Sequence, residues 1–345
     1  MEQILNTIVR SGVELTKEDF VSDQMVKWCP GCGAYSILAA VANVFPKIGY
    51  KKENFMFVSG IGCSSRFPYY VNTYGFHGIH GRALPVATGM KVSNPKLSVW
   101  VATGDGDSMA IGGNHFIHSI RRNIDLNIIL FNNQIYALTK GQYSPTSPMG
   151  AVTKTSPYGT IEHPFNAGEL VIGAQGTFFA RVPDNNIKLM TDVLFEAARH
   201  DGTSIVEVLQ NCVIYNDKTH AQITSKDTKD DNQVIIRNGE PLIFGVNKDK
   251  GIRLNNTRLE VVKIGENGIT ESDILVHDQY QQDPGIQLML AKMYPPNFPV
   301  AMGVIRSAMY PTYDDMVEDQ ISYAKANSKI KTVNDLLNSG DTFEV

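Results

Sequence analysis

Hydrophobic residues along this chain form short continuous runs that alternate with stretches of helical spacing. Runs rich in Val, Ile and Phe, typical of buried strands, occur in segments 54–65, 97–107, 126–133 and 203–212, with a shorter apolar stretch at 176–182. Spacing typical of helices occurs at 33–45, 83–94, 114–123 and near 185–200. This alternation predicts an α/β fold with a mostly parallel sheet covered by helices on both faces.

The character of the chain changes near residue 216. Residues 1–22 form a polar lead-in, and residues 23–215 contain the alternating strands and helices. Residues 216–345 are more polar, with Asn-Gly turn pairs and short alternating strands. We therefore expect one α/β domain at 23–215, followed by a C-terminal arm or small subdomain.

Charge and hydropathy exclude several classes of partner. A formal net charge of −4 gives no basic surface for nucleic acid or an anionic membrane. No apolar run reaches the roughly 18 residues that span a bilayer, and the first residues do not resemble a secretory signal. The expected location is the cytoplasm, where thiols stay reduced and a metal is favoured over a disulfide.

Four short motifs follow predicted strands. They are GIGCSS (60–65), GDGD (104–107), NNQIY (132–136) and QNC (210–212). In a parallel sheet the carboxyl ends of the strands lie at one edge, where ligands bind. The motifs therefore predict a single site at that edge.

The GDG motif and the paired asparagines have the chemistry of a magnesium–diphosphate site. Asp105 offers a carboxylate and Asn133 an amide oxygen, which are ligands that Mg²⁺ prefers. Gly104 and Gly106 let the main chain approach a diphosphate closely. Two unrelated turns would be the alternative. The pairing resembles the signature of thiamine diphosphate enzymes, which implies that the carbonyl of Ile135 completes the metal site.

The chain has four cysteines, Cys29, Cys32, Cys63 and Cys212. A zinc ion, an iron–sulfur cluster and a redox disulfide are the candidates for the C-x-x-C pair. Zinc ribbons usually bring a second close pair, whereas four thiols from scattered loops suit a [4Fe–4S] cluster. The alternative for Cys63 and Cys212 is that they are buried as small apolar residues.

The combined motifs resemble the beta subunits of the 2-oxoacid:ferredoxin oxidoreductases, and they are most similar to the 2-oxoglutarate branch of that family. The segments that carry the resemblance are WCPGCG (28–33), GIGCSS, HGRALPVATG (80–89), GDGD, NNQIYALTKGQYSPTS (132–147) and QNC. The resemblance implies coenzyme A-dependent oxidative decarboxylation of a 2-oxoacid to an acyl-CoA and CO₂, with electrons passed to ferredoxin.

The resemblance also assigns roles to individual residues. The four cysteines would hold a [4Fe–4S] cluster, and Asp105, Asn133 and Ile135 would hold Mg²⁺. Residues that would contact thiamine diphosphate are Ile61, Gly62, Cys63, Ser64, Gly104, Gly106, Asp107, Ala137 and Leu138. Lys140 and Arg66 would contact the substrate or cofactor. His80 is a catalytic candidate for a separate reason: it lies in the glycine-rich loop GFHGIHGRA (75–83), and polar residues on such a loop near the sheet edge are often functional. The chain departs from the frequent family residues at Ala137, Arg66 and Asn211.

Thiamine enzymes also use a glutamate, supplied by a second domain, that bonds the aminopyrimidine ring. We find only the diphosphate-binding domain, so a separate alpha subunit is expected to complete a heterodimer. A non-oxidative thiamine enzyme with structural cysteines and a zinc-stabilised scaffold are the rival hypotheses. The first needs no cluster, and the second leaves the GDG and NN motifs unexplained.

Overall fold

A computed structural model of the protein describes residues 14–343 and contains a mostly parallel eight-stranded sheet. The strands of the sheet are β1 (Phe55–Ser59), β2 (Tyr74–His77), β3 (Ser98–Gly104), β4 (Asn127–Asn132), β5 (Phe178–Pro183), β6 (Ser204–Leu209), β7 (Gln233–Ile235) and β11 (Val300–Ser307). Their order is β2-β1-β3-β4-β6-β5-β11-β7, and all neighbours are parallel except β5 and β11. The predicted α/β class is confirmed.

Helices cover both faces of the sheet, because the central strands are apolar on both sides. On β4, Ile128 and Leu130 pack against one helical layer, while Ile129 and Phe131 pack against the other. The first layer contains α3 (Ala83–Ser93), α4 (Gly113–Arg122), α5 (Ala167–Gly173) and α9 (Gly285–Lys292), and the second contains α1 (Ala34–Ile48), α2 (Phe67–Tyr70) and α6 (Ile187–Arg199). A buried apolar side chain of this size contributes about 1.5–3 kcal/mol.

The register of the central strands places their carboxyl ends side by side. Gly104, the last residue of β3, is paired with Phe131 of β4, and Asn132, the last residue of β4, is paired with Leu209 of β6. The segments that follow these strands therefore start at one edge of the sheet.

Part of the polar C-terminal segment belongs to the main sheet. β7 and β11 come from beyond residue 216, and β11 is buried along almost its whole length. The segment also forms a three-stranded antiparallel sheet, β8 (Ile243–Phe244), β9 (Lys250–Asn255) and β10 (Arg258–Lys263), and the helices α7 (Ala221–Thr224), α8 (Lys229–Asn232), α10 (Tyr313–Asn327) and α11 (Val333–Leu337). The division into an α/β domain and an arm at residue 216 stays a prediction.

The predicted lead-in lies partly outside the described residues, since residues 1–13 are not among them. Within the described part, Phe20 is buried and packs edge-on against Phe45 and Phe55. This contact fixes the start of the described chain to the face of the sheet covered by α1. In residues 14–343 no helix has the length and apolar character needed to cross a bilayer.

Candidate functional site

A cavity of about 190 Å³ lies at the carboxyl edge of β1, β3 and β4. Its wall includes every residue that the sequence assigned to the cofactor or to Mg²⁺: Ile61, Gly62, Cys63, Ser64, Gly104, Asp105, Gly106, Asp107, Asn133, Ile135, Ala137 and Leu138. His80 also lines it, together with Phe131, Tyr136, Thr139 and Gln210. The predicted convergence of the strand-end loops on one edge is therefore present in the structure.

Asp105 is a buried carboxylate at the floor of this site. One of its oxygens, Oδ2, lies 2.5 Å from both Ser144 Oγ and Thr146 Oγ1, whose hydroxyls donate to it. Burial raises the pKa of Asp105, and the two hydroxyls act in the opposite direction. Within residues 14–343 no basic side chain forms an ion pair with it. A bound cation would supply the missing positive charge, so this carboxylate fits a metal ligand.

Asn133 is held in one orientation by its neighbours. Its amide Nδ2 donates to Gln210 Oε1 over 3.2 Å, and its Oδ1 accepts from the backbone N–H of Ile135 over 3.2 Å. The amide oxygen of Asn133 therefore faces Ile135, which also lines the cavity. A carboxylate, an amide oxygen and a main-chain carbonyl form a donor set that suits Mg²⁺.

Gly106 allows the close approach of an aromatic ring. A Cβ atom at this position would lie 2.2 Å from Cε1 of Tyr136. The Tyr136 hydroxyl donates to the Gly106 carbonyl over 3.0 Å. Burial raises the pKa of Tyr136 to about 12, and the charges of Asp105 and Asp107 add to the effect, so the hydroxyl remains a donor. The ring thereby fixes the GDG loop against the loop after β4.

Asp107 organises three loops around the cavity. Its Oδ1 accepts from the backbone N–H groups of Ile61 (3.1 Å) and Gly81 (2.7 Å), and its Oδ2 accepts from Thr103 Oγ1 (2.9 Å). Nδ1 of His80 also lies 2.7 Å from Oδ1. Because an ionised carboxylate only accepts, Nδ1 of His80 carries the proton in this contact. Among residues 14–343 the second ring nitrogen, Nε2, has no hydrogen-bond partner and is available for a ligand.

Arg66 and Lys140 do not line the cavity. Both side chains are exposed, and Arg66 Nη1 donates to the hydroxyl of Tyr70 over 3.1 Å. Lys140 has a left-handed backbone, with φ of 76°, and follows directly after the lining residues Leu138 and Thr139. The two cations therefore flank the loops of the cavity.

The three segments that carry the four cysteines are joined by hydrogen bonds from neighbouring residues. Trp28 Nε1 donates to the carbonyl of Cys63 over 2.7 Å, which joins the C-x-x-C turn to the loop after β1. Gln210 Nε2 lies 3.5 Å from the sulfur of Cys32, which joins the same turn to the segment of Cys212. All four cysteines are free thiols.

These thiols also influence one another electrostatically. The pKa of Cys63 is raised to about 11, chiefly by burial and in addition by Cys32, Cys212 and Cys29. Burial likewise raises the pKa of Cys32, with added contributions from Cys212 and Cys29. Four thiolates at this place need positive charge, which iron ions would provide. Across residues 14–343, no three His, Cys, Asp or Glu side chains converge on a point that could hold one metal ion.

A buried polar network behind the cavity was not predicted from the sequence. Thr146 Oγ1 lies 2.9 Å from Asn132 Oδ1, and Asn132 Nδ2 donates to Glu207 Oε1 over 2.7 Å. Glu207 Oε2 in turn accepts from Arg181 Nε over 2.6 Å. The hydroxyl-rich run SPTS at 144–147 is the signal that could have indicated partners for Asp105. The network connects Asp105 to the centre of the sheet.

Comparison with known proteins gives one family match and several relatives. Residues 60–208 match the family described as thiamine pyrophosphate enzyme, C-terminal TPP binding domain. The 2-oxoglutarate oxidoreductase subunit KorB of Mycobacterium tuberculosis is 46% identical over 331 residues, which cover 95% of this chain and 88% of that protein. The 2-oxoglutarate synthase subunit KorB of Archaeoglobus fulgidus is 44% identical over 61% of this chain and 77% of its own length.

A solved structure is also similar. It is a 2-oxoglutarate:ferredoxin oxidoreductase from Magnetococcus marinus with 2-oxoglutarate, coenzyme A and succinyl-CoA bound. The match has a TM-score of 0.78 at 29% sequence identity and covers 97% of this chain and 100% of that one. The likeness therefore includes the segment beyond residue 216 as well as the sheet.

Proposed function

Because this chain belongs to the family of 2-oxoacid:ferredoxin oxidoreductase beta subunits, we propose that it acts with a separate alpha subunit on 2-oxoglutarate. The reaction would consume coenzyme A, release succinyl-CoA and CO₂, and pass the electrons to ferredoxin. The substrate follows the names of the relatives and the ligands of the Magnetococcus marinus enzyme. We place the reaction in the cytoplasm, where reducing conditions keep free thiols available as ligands.

One observation supports the proposal most directly: all residues expected to contact thiamine diphosphate or Mg²⁺ line the same cavity. In this cavity Asp105, Asn133 and the carbonyl of Ile135 would hold Mg²⁺. The backbone of Gly106 would lie against the diphosphate, since Tyr136 keeps this loop in place. Thiamine diphosphate, when bound, supplies the nucleophile and the electron sink that decarboxylation of a 2-oxoacid requires.

The side chains of this chain would orient the substrate and move a proton. His80 lines the cavity and is held at Nδ1 by Asp107, so its Nε2 would exchange a proton with the substrate. 2-Oxoglutarate carries two carboxylates, and the exposed cations Arg66 and Lys140 beside the cavity loops would attract them.

The cysteine set would connect the cavity to the electron acceptor. Cys29, Cys32, Cys63 and Cys212 would hold a [4Fe–4S] cluster, which supplies a one-electron relay to ferredoxin. Cys63 lines the cofactor cavity and Cys29 is exposed, so the set extends from the cofactor to the surface. This arrangement is what electron transfer from the cofactor to an external carrier requires.

An exposed apolar surface beside the cavity supports the proposal that a partner subunit binds there. Ile79 is 70% exposed and Leu138, in the cavity wall, is 53% exposed. The neighbouring edge strand β2 is exposed along its whole length. Edge strands with apolar side chains are usually covered. The alpha subunit would cover this surface and supply the glutamate that the aminopyrimidine ring needs.

The test compares the full chain alone with the chain co-expressed with its alpha partner, using 2-oxoglutarate- and coenzyme A-dependent reduction of ferredoxin. We expect the chain alone to show no turnover and the pair to turn over. The Asp105→Asn variant should still assemble with the alpha partner but should lose this turnover. Robust turnover by the chain alone would contradict the need for a partner. A pair that oxidises pyruvate but not 2-oxoglutarate would contradict the substrate assignment.

A further inference from the structure

Asp184 is a buried carboxylate that the proposed reaction does not use. It follows the last residue of β5 and is 8% exposed. Its Oδ2 accepts from the backbone N–H of Asn211 over 2.8 Å, and the backbone of Asn185 also donates to the carboxylate. In the described part of the chain no basic side chain forms an ion pair with it. Burial raises the pKa of Asp184, and the two backbone amide donors act in the opposite direction because they favour the charged form of the carboxylate.

This carboxylate lies between two of the segments that carry cysteines. A Cβ atom on Gly33, the residue after Cys32, would lie only 1.9 Å from Asp184 Oδ2. Its hydrogen-bond donor Asn211 directly precedes Cys212. Asp184 and Cys32 also line the same cavity, of about 630 Å³.

We propose that the negative charge of Asp184 lowers the reduction potential of the cluster that the four cysteines would hold. The inference rests on the proposed function, since it requires the cluster. One-electron reduction adds a negative charge to the cluster, and a fixed, poorly screened carboxylate nearby opposes that addition. Asp184 would act on the cluster through its charge and not as a ligand. A lower potential makes the reduced cluster a stronger donor to ferredoxin.

The experiment compares Asp184→Asn with Asp217→Asn in the full chain purified without oxygen. Asp217 is a matched control, because its Oδ1 also accepts from Asn211, through Nδ2 over 2.9 Å, but its side chain is exposed. The midpoint potential of the cluster is measured by redox titration followed by electron paramagnetic resonance, after iron and sulfide analysis. We expect Asp184→Asn to shift the one-electron reduction equilibrium of the cluster about tenfold towards the reduced form, which raises the midpoint potential by about 59 mV. Asp217→Asn should change the midpoint potential much less, because water and salt screen an exposed charge.

Two further variants separate charge from packing. Asp184→Glu keeps the charge and should retain a potential close to that of the unsubstituted chain, and Asp184→Ser provides a second neutral side chain if the amide prevents cluster assembly. Unchanged potentials in fully loaded neutral variants would overturn the inference. Equal shifts in Asp184→Asn and Asp184→Glu, or in Asp184→Asn and Asp217→Asn, would also overturn it. A chain that never holds iron would overturn the proposed function itself, and the inference with it.

Discussion

The Arg181–Glu207 ion pair gives a quantitative test of the buried network behind the cofactor cavity. Both side chains are almost fully buried, and their Nε and Oε2 atoms are 2.6 Å apart. Burial by itself would lower the pKa of Arg181, but its interactions with Glu207, Tyr294 and Glu169 together outweigh burial, and the pKa is raised. Glu207→Gln removes this charge and preserves the shape and the acceptor for Asn132 Nδ2. The guanidinium would then remain buried without its counter-charge.

Removal of one partner of a buried ion pair costs about 3–5 kcal/mol. At an unfolding entropy of about 2.1 cal/mol/K per residue, a cooperative transition of this chain of 345 residues carries about 0.7 kcal/mol/K. The variant should therefore lose about 4–7 °C in melting temperature. Since Asn132 also contacts Thr146, a partner of Asp105, we expect weaker Mg²⁺-dependent binding of thiamine diphosphate as well.

Melting temperature is measured by calorimetry on the purified full chain, with Asp231→Asn as the control. Asp231 pairs with Lys250 over 2.8 Å, but both side chains are exposed, so the control should lose less than about 1 °C. Combining Glu207→Gln with Arg181→Met should restore part of the loss, because the unpaired charge is removed. A Glu207→Gln chain as stable as the control, or a double variant whose loss equals the sum of its two single variants, would refute the reasoning.

Two other substitutions test the site and the core. Gly106→Ala should displace the ring of Tyr136, which costs about 1–3 kcal/mol of stability and weakens thiamine diphosphate binding. The control Gly89→Ala, in open space on a helix, should instead stabilise the chain by about 0.5–1 kcal/mol. Unchanged thiamine diphosphate binding by Gly106→Ala in titration calorimetry would contradict this expectation. Burial lowers the pKa of His200 from 6.5 to about 4, so only the unfolded state takes up its proton between these values. Stability should therefore fall as pH drops from 6.5 towards 4, and His200→Gln should reduce that slope; equal slopes would contradict the assignment.

The sequence predicted the cavity because each of its motifs directly follows a buried strand. The apolar run ending at Phe131 identifies β4, and Asn132 and Asn133 come immediately after its apolar part. Strand ends in a parallel sheet share one edge, so position along the chain was enough to bring Asp105 and Asn133 together. The residue types then indicated a metal site, because carboxylate and amide oxygens bind hard cations.

Partners that come from distant loops could not be predicted in this way. Ser144 and Thr146 lie 39 and 41 residues after Asp105, in an irregular loop whose path no periodicity determines. β11 is a buried strand, but its run follows a long polar segment, and apolar spacing alone does not say which strand it pairs with. Asp184 resembles an ordinary turn residue until the fold places it beside Gly33. Tertiary contacts, rather than local pattern, decide these positions.

The central claim is that the four thiols hold an iron–sulfur cluster beside a thiamine site. The most direct test is to purify the full chain without oxygen, record its visible absorption, and determine iron, sulfide and zinc. We expect a brown protein with about four irons per chain, whose colour dithionite bleaches. A colourless protein that contains one zinc and no sulfide would contradict it, and a non-oxidative thiamine enzyme would then be the better explanation of the cavity.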